Sequence, residues 1–297
     1  MAWLALVGAI VLYSSQTLNI KLFNLYFFEN SACYFFYTMA YNTLAMALLL
    51  AVNRGLGTIS TVTWIAATLY GLFVIGALLL FSLALRAGPM AFTSLITSFS
   101  MLVPIAVGCL FWGETIAVTQ IFGLILLLPT LWLINNASVR TEENRGANLR
   151  WLMLCFANVL FAGGFLACSK TQQMALQGAE INEFLIINFF VIALITGLIA
   201  LWRVRKKGES IRLLTHDKRR KFLLLVGCMT IGAVFGNICG LYVSSRLPAV
   251  IQFPIQSSAG LLTFAVVGAV FFKEKLTGRS VAGLVVGLAS IILLGLQ

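Results

Sequence analysis

The sequence predicts an all-α membrane protein with ten transmembrane helices, arranged as two inverted five-helix repeats. Three observations predict it. The chain is 61% hydrophobic and 10% charged, with a mean hydropathy of +1.00, whereas soluble domains average about 45–50% apolar and about 25% charged residues. Polar loops break the apolar sequence into stretches of about 20 residues, the length a helix needs to cross hydrocarbon. The chain also repeats itself: residues 82–135 fall on 242–295 at a constant offset of 160, pairing Arg86 with Arg246, Gly108 with Gly268, Phe111 with Phe271, Glu114 with Glu274 and Gly123 with Gly283.

The repeat extends further at both ends. The offset of 160 also pairs Gly76 with Gly236, and an offset of 148 puts Trp3-Leu4 on Trp151-Leu152 and Val11-Leu12 on Val159-Leu160. The two copies occupy residues 1–135 and 151–297, joined by a polar linker at 136–150.

The first predicted span, 2–21, has no basic n-region and no small-residue cleavage site, so it reads as a membrane helix rather than a signal peptide. Gln16, Asn19 and Lys21 sit low in it. The second span, 32–52, carries Tyr37 and Tyr41 four residues apart, with Thr38 and Asn42 beside them, which sets them near one helix face. The third, 62–85, is apolar up to Arg86. In the fourth, 90–112, Thr93, Thr97, Ser98 and Ser100 precede Pro104, and Gly113-Glu114 closes it; the fifth is 117–135.

The second half follows the same order. Span six, 151–169, contains Asn158 and ends on Lys170; span seven, 183–202, contains Asn188. A basic stretch from Arg203 to Lys221 leads to span eight, 222–244, where Gly232, Gly236 and Gly240 form a small-residue stripe that permits close helix packing. Span nine, 249–272, places Gln252 and Gln256 one turn apart, followed by Ser257 and Ser258; Pro248 and Pro254 interrupt it, and Lys273-Glu274 closes it. Span ten, 279–296, carries Gly283 and Gly287. All are helices, because a membrane strand is about 9–11 residues long with alternating polarity.

Five spans in each half is an odd number, so the second copy enters the membrane upside down relative to the first. That inverted arrangement is the sequence signature of a transporter whose site lies where the copies meet. With the termini outside, 17 Lys and Arg residues fall inside and 3 outside, and 8 against 3 remain once the Arg203–Lys221 loop is set aside. The positive-inside rule therefore puts both termini outside a bacterial plasma membrane.

Composition excludes other classes. The net charge of +11 sits in short loops rather than on a continuous basic face, so it does not describe a nucleic-acid binder. One histidine, His216, and six dispersed cysteines without a C-x-x-C pair give no nucleophile–base pair, metal spacing or phosphate loop. The protein is read as no enzyme and as needing no cofactor. None of the nine acidic residues lies mid-span, which argues against a proton-driven exporter of organic cations, since that chemistry relies on a buried carboxylate. Glu29 and Glu183, near helix ends, keep that alternative open.

The candidate substrate-binding residues are the polar side chains that several spans bring into apolar surroundings: Gln16, Asn19, Lys21, Tyr37, Tyr41, Ser98, Asn158, Lys170, Asn188, Gln252, Gln256 and Ser257. Each has a competing role as an interhelical hydrogen bond, and the two lysines a competing role in snorkelling to headgroups. Pro104 and Pro254 are the candidate hinges, because proline removes one helical hydrogen bond. Position 264, the repeat partner of Pro104, is Phe264. The carboxylates of Glu114 and Glu274 are expected to cap the helix that follows each.

With these residues in place, the chain resembles the drug/metabolite transporter superfamily, in its EamA-like branch of ten-span proteins. The likeness is carried by a small-residue turn, a helix broken by proline, phenylalanine followed after two residues by glutamate, and a glycine in the last helix: Phe111, Glu114 and Gly123, then Phe271, Glu274 and Gly283. The resemblance implies spans one to four and six to nine around a central path. It leaves spans five and ten peripheral, in contact with lipid and available for a homodimer. The expected activity is secondary transport of a small polar metabolite, amino-acid-like or anionic, by alternating access. The alternatives are a flippase for lipids or polyprenyl-linked sugars and an exporter of toxic organic cations.

Overall fold

The computed structural model describes residues 1–27, 31–55, 57–87, 93, 96–136, 149–209, 216–259 and 278–295. Every regular element among them is helical: α1 (Ala2–Phe27), α2 (Ser31–Val52), α3 (Thr61–Ala87), α4 (Leu102–Phe111), α5 (Val118–Asn136), α6 (Leu149–Ala175), α7 (Ile181–Lys207), α8 (His216–Ser244), α9 (249–259) and α10 (Gly278–Gly295). Six of these are long and apolar enough to cross a membrane, namely α1, α2, α3, α6, α7 and the Lys218–Ser244 part of α8. The linker core, Glu29 and Lys273-Glu274 lie outside the described residues.

The helices outrun the apolar stretches that predict them. α1 continues six residues past Lys21, and α6 five residues past Lys170. A charged side chain marks where the chain meets polar surroundings, but it does not interrupt backbone hydrogen bonding, so a span's apolar edge and its helix end need not coincide. Turns end the helices where the backbone demands it. Gly113 follows α4 at φ +66°, and Gly208 follows α7 at φ +64°, a region open to glycine without a Cβ clash. At the start of α5, the Gln120 side chain reaches back to accept the Ala117 N–H at 3.0 Å, as a glutamine at the third helical position does.

Polarity is arranged inside out. α7 exposes Phe190, Leu194, Leu198 and Leu201 along one stripe, and α1 exposes Leu4, Val7 and Val11. Water would not tolerate such stripes, whereas lipid does. Within the bundle, α1 packs on α8, α3 on α6, α2 on α7 and α5 on α10, with α3–α7 and α2–α8 contacts beside them.

Close approach depends on glycine at a few places. A Cβ on Gly76 of α3 would come within 2.4 Å of the Phe161 ring of α6. On α8, the Gly232–Gly236–Gly240 stripe faces α1: a Cβ on Gly232 would lie 3.1 Å from Gln16 Cγ, and one on Gly240 would lie 2.5 Å from the Tyr13 hydroxyl. A short tight turn, Phe99–Met101, leads into α4. It stands where Pro104 has no N–H to offer the carbonyl at position 100.

Candidate substrate cavity

A cavity of about 1050 Å³ runs through the middle of the bundle. Its wall comes from α1, α3, the segment just before α4, α6, α7, α8 and α9; α2, α4, α5 and α10 contribute none of the described lining. From α1 it takes Tyr13, Ser14, Thr17, Lys21 and Asn24, whose spacing of three and four residues makes one helix face. The wall continues with Asn237 and Ser244 of α8 and Gln252, Gln256 and Ser257 of α9, and with Ser98 and Ser100 from the segment before α4. Tyr70, Phe165 and Phe184 add an aromatic patch, with edge-to-face ring centroids 5.3 and 5.4 Å apart. Lys21 is the one charged side chain among the described lining residues.

The two ends of the cavity differ. α1 runs antiparallel to α8, since Leu6 shares an apolar cluster with Val243, Ala249 and Ile251 while Phe23 and Phe27 share another with Phe222 and Val226. The wall along α1 therefore leads from Tyr13, at mid-bundle, to the end where α8 begins, and Asn24 there is exposed. Toward the other end the lining residues Ser169, Ser244 and Gln252 are buried, and beyond them Lys170 is 1% exposed.

Of the sequence-predicted site residues, the structure brings Lys21, Ser98, Gln252, Gln256 and Ser257 to the cavity. Gln252 donates to Ser244 Oγ at 2.8 Å and to the Gly240 carbonyl at 3.2 Å, while its own carbonyl oxygen has no hydrogen-bond partner among the described residues. Gln16, Asn19, Tyr37, Tyr41, Asn158, Lys170 and Asn188 are not part of the described lining. Gln16 donates to the Gly232 carbonyl at 2.9 Å, Asn158 to the Ala77 carbonyl at 2.6 Å, and Asn19 to the Leu225 carbonyl at 3.0 Å. The Tyr37 hydroxyl donates to Asn19 Oδ1 at 2.5 Å, and its ring stacks on Phe23 with centroids 4.1 Å apart. Tyr41 lies beside Tyr37, and its backbone carbonyl accepts Thr230 at 3.3 Å. Asn188 is buried. Hydrogen bonds between helices are the competing role named above for every neutral member of this set.

Lys170 and Glu114 form an ion pair, Nζ to Oε1 3.4 Å. Lys170 also donates to the Leu247 carbonyl, and Glu114 Oε2 accepts the Ala249 N–H at 2.6 Å. The expectation that Glu114 caps the following helix is corrected by this contact. Gln120 already takes the Ala117 N–H at the head of α5, and Glu114 instead caps α9 in the other half of the chain. Gly113 turns the chain so that the Glu114 N–H bonds back to the Gly108 carbonyl at 3.1 Å. A Cβ on Gly108 would sit 2.7 Å from Glu114 Oε2.

Beyond α6, Glu180 accepts from the Ser60 hydroxyl at 2.8 Å and the Ser60 N–H at 3.2 Å, tying the α6–α7 turn to the head of α3. These bonds, led by that of the Thr63 hydroxyl, hold the Glu180 carboxyl below the usual carboxylate range, because donors favour the charged form.

Sequence reasoning missed Tyr13, Thr17, Asn24, Asn237 and Ser244. The signal was present on α1, where Ser14, Thr17, Lys21 and Asn24 follow helical spacing; Gln16 and Asn19 lie on the face packed against α8.

Residues 149–296 match the model of the EamA-like transporter family. Through this half, the protein belongs to that family. The transporter is therefore an integral multi-pass membrane protein of the drug/metabolite transporter superfamily. A solved structure titled only "Crystal structure of protein" is similar to it with a TM-score of 0.74 and 15% identity, over 98% of this chain and 97% of that one. That likeness bears on fold alone. No curated protein matches the chain.

Proposed function

We propose that the protein is a ten-span secondary transporter whose two five-helix halves are related by a two-fold axis in the membrane plane and rock about the central cavity. The observation that carries this reading is the cavity itself, walled by both halves and lined with hydroxyls, amides and one cation. The packing supports the two-fold relation. α1 on α8 mirrors α6 on α3, while α2–α7 and α5–α10 are pairs of equivalents. In finer detail, repeat-matched Gly76 and Gly236 receive Phe161 and Tyr13, which are themselves 148 residues apart.

The substrate is a small polar organic solute, amino-acid-like or bearing an anionic group. Lys21 attracts the charge, and Gln252, Gln256, Ser257 and Ser98 hold neutral donors and acceptors. No carboxylate occurs in the described lining, which speaks against an organic-cation substrate. Placing the basic Arg203–Lys221 stretch in the cytoplasm by the positive-inside rule puts the termini outside and turns the Asn24 end of the cavity inward. Pro104, beside the tight turn at Phe99–Met101, and Pro254 are the flexible points. A homodimer, where one forms, uses the apolar outer faces of α5 and α10.

Purified protein is screened by thermal shift against a panel of amino acids, organic acids and organic cations, and hits are tested for flux in liposomes. The proposal expects stabilisation and flux with zwitterionic or anionic solutes, and at least about tenfold weaker uptake in Gln256→Ala, the loss of one or two buried hydrogen bonds. Flux of cations alone, or binding of lipid alone, contradicts it.

A further inference from the structure

We infer that Glu114 and Lys170 form a charged latch that holds one end of the cavity shut and parts when that face opens. The inference rests on the transporter reading above and assigns that site its gate. Glu114 belongs to the first half of the chain, whereas Lys170, Leu247 and Ala249 belong to the second. Rocking of one half against the other strains this contact, because it crosses the seam between them.

The position fits a gate. Ser169, adjacent to Lys170, lines the cavity, as do Ser244 and Gln252, each three residues from Leu247 or Ala249. The latch is the next layer outward from that buried wall. Its parts converge from the close of α4, the last two turns of α6 and the head of α9. Trp112 covers it, its ring centroid 6.0 Å from Lys170 Nζ. The Lys170 side chain is 1% exposed and that of Glu114 10%, so in this state the pair is held almost entirely out of water.

The chemistry fits as well. Glu114 serves two partners at once, a cation and the N–H at the head of α9, where an anion also meets the positive end of the helix dipole. Removing either member leaves a buried, uncompensated charge, which is costly. Separating both into water restores their hydration, so the contact is strong when closed and reversible when the face opens. An apolar seam has no such compensation, since opening it only exposes apolar surface. The glycines explain the motif: Gly113 supplies the turn and Gly108 the space that let Glu114 fold back across the end of α4.

The test uses protein with its six cysteines replaced and Ser169→Cys introduced, probed in vesicles by a membrane-impermeant maleimide added on the face that carries Gly113 and Arg246. With the latch intact, labelling is slow. Glu114→Gln and Lys170→Met raise the rate at least about tenfold, the loss expected of a charge-assisted contact, while Lys170→Arg stays near the parent. Glu114→Asp, which keeps the charge and shortens the reach, carries the same readout where the neutral variants do not give monodisperse protein. Lipid-facing Phe156→Cys stays unlabelled in every variant. Unchanged Ser169→Cys labelling in these variants overturns the latch, as does an equal rise at Phe156→Cys, which would mean general loosening. Thr17→Cys separates the two ideas. If it labels from neither face, the cavity reading fails; if it labels while Ser169→Cys never responds, only the latch fails.

Discussion

Gly163 of α6 makes one of the tightest described approaches between the two halves. An added Cβ there would lie 2.3 Å from Val103 Cβ and 2.7 Å from the Ser100 carbonyl oxygen. Carbon atoms need about 3.5–4.0 Å, so Gly163→Ala requires a movement of more than about 1 Å. Neither neighbour is the loose end of a flexible side chain, since Val103 is β-branched and Ser100 presents backbone. Overpacking of this kind costs about 1–3 kcal/mol, and the rigidity of both partners puts Gly163→Ala near about 2–3 kcal/mol. At about 2–4 °C per kcal/mol, the apparent Tm in detergent falls by about 4–12 °C.

Gly227 of α8 is the matched control. It also lies within a helix, but an added Cβ meets nothing within 4 Å. Gly227→Ala therefore gains up to about 1 kcal/mol of helix propensity and leaves Tm equal or slightly raised. Differential scanning fluorimetry on both variants reads the opposed signs. Equal Tm values for the two would refute the placement of α4 against α6, and with it the position of Ser98 and Ser100 on the cavity wall.

Three further outcomes follow from particular contacts. A double-mutant cycle on Asn19→Ala and Tyr37→Phe, read by thermal unfolding, yields a coupling of about 0.5–2 kcal/mol if their hydrogen bond ties α1 to α2; additive losses contradict it. Glu180→Gln destabilises at pH 7 by about 1 kcal/mol after allowance for solvent exposure. Because the folded carboxyl is held below its ordinary value, that difference is present above the unfolded pKa of about 4.3 and closes as pH falls through the folded value; a gap that widens on acidification contradicts it. Lys21→Gln weakens uptake of an anionic solute several-fold and flattens its dependence on ionic strength, whereas unchanged uptake removes Lys21 from the site.

The sequence made the membrane class, the helical elements and the repeat legible, because apolar run length and fixed offsets are properties of the chain itself. It also named Gln252, Gln256, Ser257, Ser98 and Lys21, which line the cavity. It did not distinguish them from Asn19, Asn158 or Gln16, since a buried amide looks the same whether it faces a void or the carbonyl of a neighbouring helix. Only the rotation of each helix decides that, and rotation is set by contacts such as Gln16 on Gly232. Glu114 was legible as a cap but not as to which helix it caps. Its target is 135 residues away at Ala249, and nothing local records that distance.

The most direct measurement is water access to the cavity wall. In cysteine-free protein reconstituted in liposomes, single cysteines at Thr17, Asn237 and Gln256 are treated with a membrane-impermeant thiol reagent, beside cysteines at the lipid-facing Ile121 and Phe190. A solvated path between the two halves predicts labelling of the first three and none of the last two. No labelling at Thr17, Asn237 and Gln256 from either side of the membrane would contradict it.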